Sequence, residues 1–283
     1  MARRPKIAIV GPGRLGTALA RQLCRAGYAI SEIVSRNSPA SRKRAMSLAR
    51  SVSARAFTIA NVPLNADVVW FAVPDREIVR AARQLAARAE WKGKVALHSS
   101  GALTSDELDS LRKRGAAVAS VHPLMTFTGR SVPSLRDVPF ALEGDAAAVR
   151  LARNVVRRLG GRPFTIGKDS KVAYHAWGAF ASPLLIALLA AAEEVAKLAG
   201  VSSTEARKKM LPIVRQTIAN YAALGPKKAL TGPLVRGDVE TVRKHLRVLG
   251  RAPRARNVYL ALSNAALSAF SLGESNGLRN FSN

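Results

Sequence analysis

Apolar residues along the first part of the chain follow two alternating patterns. Short continuous runs predict buried strands, because a parallel strand covered on both faces is apolar at every position. Such runs lie at 7–10, 30–34, 54–59, 67–74, 95–97, 117–121, 140–142 and 163–166. Between most of them, apolar residues spaced three or four apart predict helices, for example at 39–50. This alternation predicts an α/β fold with a doubly wound, mostly parallel sheet.

The pattern changes after Gly167, where only helical spacing remains. It predicts helices at about 169–198, 202–224, 239–249 and 257–270. Pro212 predicts a kink in the second of these helices, since proline cannot donate to the helical ladder. We therefore predict two domains, residues 1–167 with the sheet and residues 168–283 as an all-α domain, and a tail over the last dozen residues.

A glycine-rich turn joins the first strand to the first helix. Gly11 is placed to make the tight turn, Gly13 to let the backbone approach a pyrophosphate, and Gly16 to let the helix pack on the strand. The helix N-terminus offers N–H groups to phosphate oxygens. This predicts a Rossmann-like dinucleotide-binding domain, whose cofactor-binding residues are Gly11, Pro12, Gly13, Arg14, Leu15, Gly16 and, at the end of another strand, Val73 and Pro74.

The end of the second strand predicts which dinucleotide is bound. Sites for NAD usually place Asp or Glu there, where the carboxylate accepts a hydrogen bond from the ribose 2′-hydroxyl. Here the strand ends at Ser35, Arg36 and Asn37, and Glu32 falls in mid-strand. These donors suit a 2′-phosphate, so NADP is predicted in preference to NAD. The alternative is that Arg36 is one more surface arginine of an arginine-rich chain.

The net charge of +27 invites a nucleic-acid-binding interpretation. The charge is spread evenly, however, with +17 over residues 1–167 and +10 over residues 168–283. Aromatic residues, which stack on bases, make up only 5% of the chain. We therefore expect an arginine-rich surface that attracts anionic ligands, and no nucleic-acid partner.

Three features bear on the compartment. An uncharged run of 17 residues from Ala176 to Ala192 reaches only the lower limit for a membrane span, so we interpret it as a helix buried inside the protein. The first residues lack the apolar stretch of a signal peptide. The single Cys24 excludes a disulfide framework. A cytoplasmic protein with no membrane contact and no metal site is expected.

Candidate chemistry appears where two successive strands end. His98 is followed by Ser99 and Ser100, and His122 follows the next strand. The carboxyl ends of parallel strands meet at one edge of a sheet, so both histidines are expected near the cofactor. One histidine at such a position is usually structural, whereas two in a chain with only four favour a site.

Further motifs extend the pattern over residues 6 to 250. They are Ala72-Val73-Pro74-Asp75, His98-Ser99-Ser100-Gly101, His122-Pro123-Leu124 with Thr126-Phe127, Tyr174-His175, and Leu230-Thr231-Gly232-Pro233 with Arg236-Gly237-Asp238. With the glycine turn, they resemble bacterial proteins that join a Rossmann-like NAD(P)-binding module to a helical domain of unassigned function. That family lies in the 6-phosphogluconate dehydrogenase-like superfamily, with pyrroline-5-carboxylate reductase, ketopantoate reductase and prephenate dehydrogenase.

The resemblance implies that the helical domain closes over the nicotinamide, that the substrate lies between the domains, and that the helical domain forms a homodimer. It also implies a catalytic lysine on the first long interdomain helix. Around Tyr174 no lysine is found, and His175 stands nearest. Because His175 and Ser182 share a helix face, the expected catalytic residues are His175 first, then His122, with Ser182.

Hydride transfer is the chemistry of the nicotinamide, so the protein must hold the acceptor carbon and handle one proton. We predict an NADP-dependent oxidoreductase for a small anionic substrate. Its predicted substrate-binding residues are Ser99, Ser100, which also lies beside the cofactor, Thr231 and Arg236. Alternatively, Arg236 pairs with Asp238, which caps the next helix. The rival functions are a non-catalytic dinucleotide-binding sensor or scaffold, and nucleic-acid binding.

Overall fold

A computed structural model of the protein describes residues 4–129 and 131–270. The predicted tail lies outside these residues. By its contacts the chain divides into two compact units, Met1–Ala179 and Phe180–Asn283. The sequence pattern places the domain boundary twelve residues earlier, after Gly167, so the helix that follows Gly167 belongs by contact to the first unit.

An eight-stranded sheet forms the centre of the first unit. Its strands are β1 (Ile7–Val10), β2 (Ile30–Ser35), β3 (Arg55–Thr58), β4 (Val68–Phe71), β5 (Val95–His98), β6 (Ala117–Pro123), β7 (Pro139–Gly144) and β8 (Arg162–Thr165). The strand order is β3-β2-β1-β4-β5-β6-β7-β8, and every neighbouring pair is parallel except β6 and β7. The predicted mostly parallel, doubly wound sheet is confirmed.

Helices cover both faces of this sheet. They are α1 (Arg14–Arg25), α2 (Pro39–Ser51), α3 (Asp75–Ala86), α4 (Asp109–Arg112) and α5 (Ala146–Arg158). A further helix, α6 (Lys171–Ala181), follows the last strand. In β1, Ile9 packs into one core with Leu19 of α1, whereas the next residue, Val10, packs into the other core with Ile78 of α3. The alternation of side chains along a strand thus explains why each strand is apolar throughout.

The strand order reverses between β1 and β4. In open parallel sheets, ligands bind outside the carboxyl ends of the strands at such a reversal. The glycine turn follows β1, and Val73 and Pro74 follow β4. The topology therefore brings these two sequence motifs to the same crevice.

The second unit is helical over its described residues. Its helices are α7 (Pro183–Leu198), α8 (Ser203–Ala229), α9 (Pro233–Arg236), α10 (Val239–Leu249) and α11 (Pro253–Ala269). A small buried core includes Leu249 and Ala255. Pro212, where a kink is predicted, lies inside α8, and the residue with non-helical torsion angles in that helix is Gly225, with φ 74° and ψ 170°.

The predicted long helix at 169–198 is interrupted at Ser182, whose φ of −132° and ψ of −81° are not helical, and Pro183 then opens α7. One stretch of the described chain, Lys168–Leu198, is long and apolar enough to cross a membrane by length and composition alone. None of its most apolar window is buried, and Phe180 is 72% exposed. The prediction that this helix is buried inside the protein is therefore wrong for the single chain.

Candidate functional site

The turn between β1 and α1 has a shape that requires glycine. Gly11 has φ +103°, and a Cβ there would lie 2.6 Å from the Ala72 carbonyl oxygen. A Cβ on Gly16 would overlap the Gly11 carbonyl oxygen, so α1 can pack on the turn only with glycine there. Gly13 faces open space and has no side chain to cap α1. The first N–H groups of α1 are therefore suited to a pyrophosphate.

A cleft of about 820 Å³ opens beside this turn. Eight predicted cofactor-binding residues line it: Gly11, Pro12, Gly13, Ser35, Arg36, Asn37, Val73 and Pro74. Four others lie outside its lining, namely Arg14, Leu15 and Gly16 of α1, and Ser100, which is buried two residues after the end of β5. The volume falls in the usual range of small-molecule sites. The residues present thus fit a dinucleotide.

The part of the cleft near the end of β2 is basic. Ser41 is 4% exposed, and its Oγ accepts hydrogen bonds from Arg36 Nε at 3.4 Å and from Arg44 Nη2 at 3.3 Å. Each guanidinium group has further N–H groups for another acceptor. Arg42 instead donates to Asn37 Oδ1 at 3.2 Å.

The acid of β2 faces away from this position. Glu32 is 3% exposed, and its Oε1 accepts a hydrogen bond from the Asn65 backbone N–H at 2.9 Å. Among the described residues that line the cleft, the acidic one is Glu77, on α3. Two guanidinium groups around one hydroxyl, with no carboxylate at the end of β2, fit a phosphate better than a ribose hydroxyl.

Lys171, the first residue of α6, is fully buried and was not among the predicted site residues. Its Nζ donates to the Ser100 carbonyl at 3.0 Å and to Ser120 Oγ at 2.5 Å. Burial lowers the pKa of Lys171 to about 8, although the Glu143 and Asp75 carboxylates act in the opposite direction.

The expectation that no lysine stands near the site on this helix is therefore wrong. Lys171 lies four residues before His175, one helical turn upstream of the segment that carries the motif. That spacing places both residues on one face of α6, and it is the signal by which the sequence could have indicated Lys171.

Ser100 lies at the centre of a buried hydrogen-bond network. Its N–H donates to His98 Nδ1 at 3.1 Å, and its carbonyl accepts from Ser120 Oγ at 3.1 Å as well as from the lysine. Its hydroxyl donates to Asp75 Oδ2 at 2.8 Å and accepts from the Leu103 N–H at 2.9 Å. The hydroxyl predicted to bind substrate or cofactor is thus already engaged within the protein.

His98 is a structural histidine. It is 0% exposed, its Nε2 lies 2.8 Å from the Thr104 carbonyl, and its Nδ1 accepts from the Ser100 N–H. The carbonyl requires a proton on Nε2, and the N–H requires a lone pair on Nδ1, so the ring is neutral. Burial lowers the pKa of His98 to about 4, which agrees with this assignment.

His122 lies inside β6, not beyond it, and it contacts residues of α6. Its Nδ1 lies 2.8 Å from the Tyr174 hydroxyl, and its ring centroid lies 6.1 Å from that of His175. Burial, followed by the charges of Lys171 and His175, lowers the pKa of His122 to about 4. Burial also raises the pKa of Tyr174 to about 12. His122 is therefore a neutral hydrogen-bonding group, and His175 is the exposed imidazole of the pair.

Four further residues were predicted to belong to the site, namely Ser99, Ser182, Thr231 and Arg236. Ser99 Oγ accepts a hydrogen bond from the Trp70 indole at 2.8 Å. Ser182 directly precedes α7, Thr231 lies between α8 and α9, and Arg236 is the last residue of α9. Their roles stay predictions. Asp238 caps α10 by accepting from the Thr241 N–H at 3.0 Å, which confirms the capping role expected for it.

Two family models match consecutive parts of this chain. Residues 1–123 match the Rossmann-like domain, and residues 138–266 match a domain of unknown function, DUF2520. The chain joins a Rossmann-like domain to a DUF2520 domain. None of the curated proteins matches this sequence.

Several solved structures share the fold of this chain. A proposed NADP oxidoreductase from Bacteroides fragilis has a TM-score of 0.78 at 23% identity, over 93% of this chain and 97% of that one. A reductive aminase from Aspergillus terreus, in complex with NADPH and ethyl-5-oxohexanoate, has a TM-score of 0.68 at 20% identity, over 97% and 96%. A pyrroline-5-carboxylate reductase from Coxiella burnetii has 0.61 at 16%, over 95% and 98%. At these identities the similarities show that the fold is shared.

Proposed function

We propose that the protein is an NADP-dependent oxidoreductase that transfers hydride to or from a small anionic substrate. The observation that carries this proposal is the cleft. The glycine turn and the uncapped N-terminus of α1 form one part of it, and the cluster of Arg36, Ser41 and Arg44 forms another. Proteins of the same fold include a proposed NADP oxidoreductase and an NADPH-bound reductive aminase, which supports a dinucleotide cofactor.

The preference for NADP over NAD rests on charge. The 2′-phosphate would accept from the free N–H groups of Arg36 and Arg44, which Ser41 holds side by side. An NAD ribose would find no carboxylate at the end of β2, because Glu32 is engaged with Asn65. The net charge of the chain adds a general attraction for anions.

The cofactor supplies the hydride, so the chain's own residues must hold the acceptor and handle one proton. We assign the proton to His175, which is exposed and lies beside His122. His122 is held by Tyr174 at Nδ1, so its Nε2 is the nitrogen that can bond to a substrate oxygen or nitrogen. Lys171 is a second candidate proton carrier, since a pKa of about 8 is close to neutral pH.

Ser182, Thr231 and Arg236 keep their proposed roles in catalysis and in substrate binding, with Arg236 as the group for a carboxylate or phosphate. The non-catalytic alternative depended on the absence of a lysine from the first helix after the sheet. The buried position of Lys171, one turn before His175, removes that reason.

Fluorescence titration of the protein with NADPH and NADH tests the proposal. We expect micromolar binding of NADPH and at least tenfold weaker binding of NADH. A panel of oxo acids, hydroxy acids and imines, followed by NADPH absorbance, then tests turnover, which His175→Ala should lower more than it lowers cofactor affinity. Micromolar binding of neither dinucleotide would overturn the cofactor assignment, and binding without any turnover would favour the sensor function.

We further propose a cytoplasmic homodimer formed through the helical unit, without a nucleic-acid or membrane partner. Large apolar side chains of that unit are exposed in the single chain, among them Phe180, Ile186, Ile213, Ile218 and Tyr221. Exposed apolar side chains in such number favour a protein partner, and a second copy would cover them. Sedimentation should show a dimer at micromolar concentration. A monomer, or a chain that floats with liposomes, would contradict this.

A further inference from the structure

Gly101 lies directly against both imidazoles of the site. A Cβ on Gly101 would lie 2.5 Å from His175 Cδ2, 3.0 Å from His122 Nε2 and 3.2 Å from His122 Cδ2. Real Cβ atoms essentially never show the first of these distances, and the second is tighter than most. Any side chain at Gly101 would therefore displace a ring or the backbone.

The backbone is the part that cannot give way. The preceding residue, Ser100, is 3% exposed and is held through its N–H, its carbonyl and its hydroxyl. Its carbonyl accepts from both Lys171 and Ser120, which are themselves buried. A shift of the peptide between Ser100 and Gly101 would break several buried hydrogen bonds, each costly to leave unmade.

The imidazole of His175 is the part that can move. His175 is exposed, whereas His122 is held at Nδ1 by the Tyr174 hydroxyl at 2.8 Å. Displacement of His175 is therefore the least costly way to accommodate a side chain at position 101.

We infer that Gly101 is a positioning residue of this site: its lack of a side chain, next to a peptide fixed by Lys171 and Ser120, is what lets His175 and His122 lie side by side. This inference deepens the proposed function and rests on it for any effect on turnover. Gly101 itself contributes no reacting group. It acts through the ring of His175, so its effect must disappear when that ring is removed.

Gly101→Ala tests the inference in two independent ways. In the first, the imidazole signals of the four histidines are followed by NMR in labelled protein, with His175→Ala and His122→Ala for assignment. Gly101→Ala should shift the His175 signals most and the His245 signals not at all. This arm needs no substrate or cofactor, so it stands or fails separately from the oxidoreductase proposal.

The second way is a double-mutant cycle in kcat and thermal stability. We expect Gly101→Ala to lower kcat at least tenfold with an intact His175, with KM for NADPH within twofold. In the His175→Ala background, the same change should alter kcat less than twofold. If Gly101→Ala alone unfolds the protein, the double variant should recover part of the stability, because the nearer of the two rings that the Cβ meets is gone.

Gly167→Ala is the matched control, since a Cβ there would meet only Ser170 Oγ, at an ordinary 3.9 Å. It should change neither the His175 signals nor kcat. The inference is overturned if Gly101→Ala leaves the His175 signals in place, or if its effect on kcat or stability is the same with and without the His175 ring.

Discussion

Replacement of Lys171 by Met removes a buried ammonium group, and the effect should depend on pH. In the folded protein the pKa of Lys171 is about 8, below its ordinary value of 10.5, because burial disfavours the charged form. Below pH 8, Lys171 is protonated in both the folded and the unfolded chain, so the full cost of burying the charge is present. Between pH 8 and 10.5 only the unfolded chain keeps the proton, so wild-type stability rises with pH.

The size of this effect follows from the two pKa values. At about 1.4 kcal/mol per pH unit, the interval from about 8 to 10.5 corresponds to about 3 kcal/mol. The free energy of unfolding of Lys171→Met minus that of the wild type should therefore fall by about 3 kcal/mol from pH 7.5 to pH 10.5. Comparison of the two proteins cancels other groups that titrate in this range.

Urea denaturation at pH 7.5, 9 and 10.5 measures this difference. The fluorescence of Trp70 and Trp91, both fully buried in the first unit, reports on the unit that contains Lys171. Lys208→Met is the control, since it makes the same substitution at an exposed position on α8. A difference for Lys171→Met that stays constant within about 0.5 kcal/mol would refute the view that Lys171 is buried as a cation.

The further predictions concern the cleft and the buried histidine. Arg36→Ala combined with Arg44→Ala should raise the Kd for NADPH at least tenfold and that for NADH less than twofold by fluorescence titration, because hydrogen bonds to a charged group contribute about 1.5–3 kcal/mol; equal losses would argue against a 2′-phosphate site. Gly11→Ala should lower Tm and abolish dinucleotide binding, since its φ is +103° and its Cβ would meet the Ala72 carbonyl; unchanged titration curves would count against the turn. His98→Leu should lower the free energy of unfolding by about 2–3 kcal/mol in urea at pH 7.5, because the Thr104 carbonyl and the Ser100 N–H lose their partner. The wild type should also lose stability as pH falls from 6.5 to 4, where only the unfolded His98 gains a proton, and a His98→Leu variant with the same loss would contradict this.

The cleft was the most predictable part of the molecule. Glycine at positions 11 and 16 indicates that the backbone there has no room for a side chain, and the structure shows the close contacts responsible. Arg36 stands where the sequence placed it, at the cleft, but its link through Ser41 to Arg44 was not foreseen, because that contact depends on how α2 packs against the end of β2. A residue at the end of a strand can be assigned to the cleft from the sequence, because ligands bind at the carboxyl ends of the strands where the strand order reverses.

The histidines show the limit of such reasoning. From the sequence alone, His98 and His122 are equivalent, because each is predicted at the end of a strand. The structure separates them, since both nitrogens of His98 are engaged in the core, whereas His122 has one nitrogen toward Gly101. Burial and hydrogen-bond partners come from residues distant along the chain, and no local pattern records them.

By itself, the sequence determined the α/β sheet with its helical extension, the turn at Gly11 to Gly16 and the basic end of the second strand. These depend on backbone propensity and on apolar spacing over a few residues, which are local properties. Only the tertiary structure decided that Lys171 is buried beside the candidate site residue Ser100, since it bonds to Ser120 and Ser100 across 51 and 71 residues of sequence. Without the structure, a lysine is expected on the surface, where its pKa is ordinary. Its pKa is lowered only when packing removes the side chain from water.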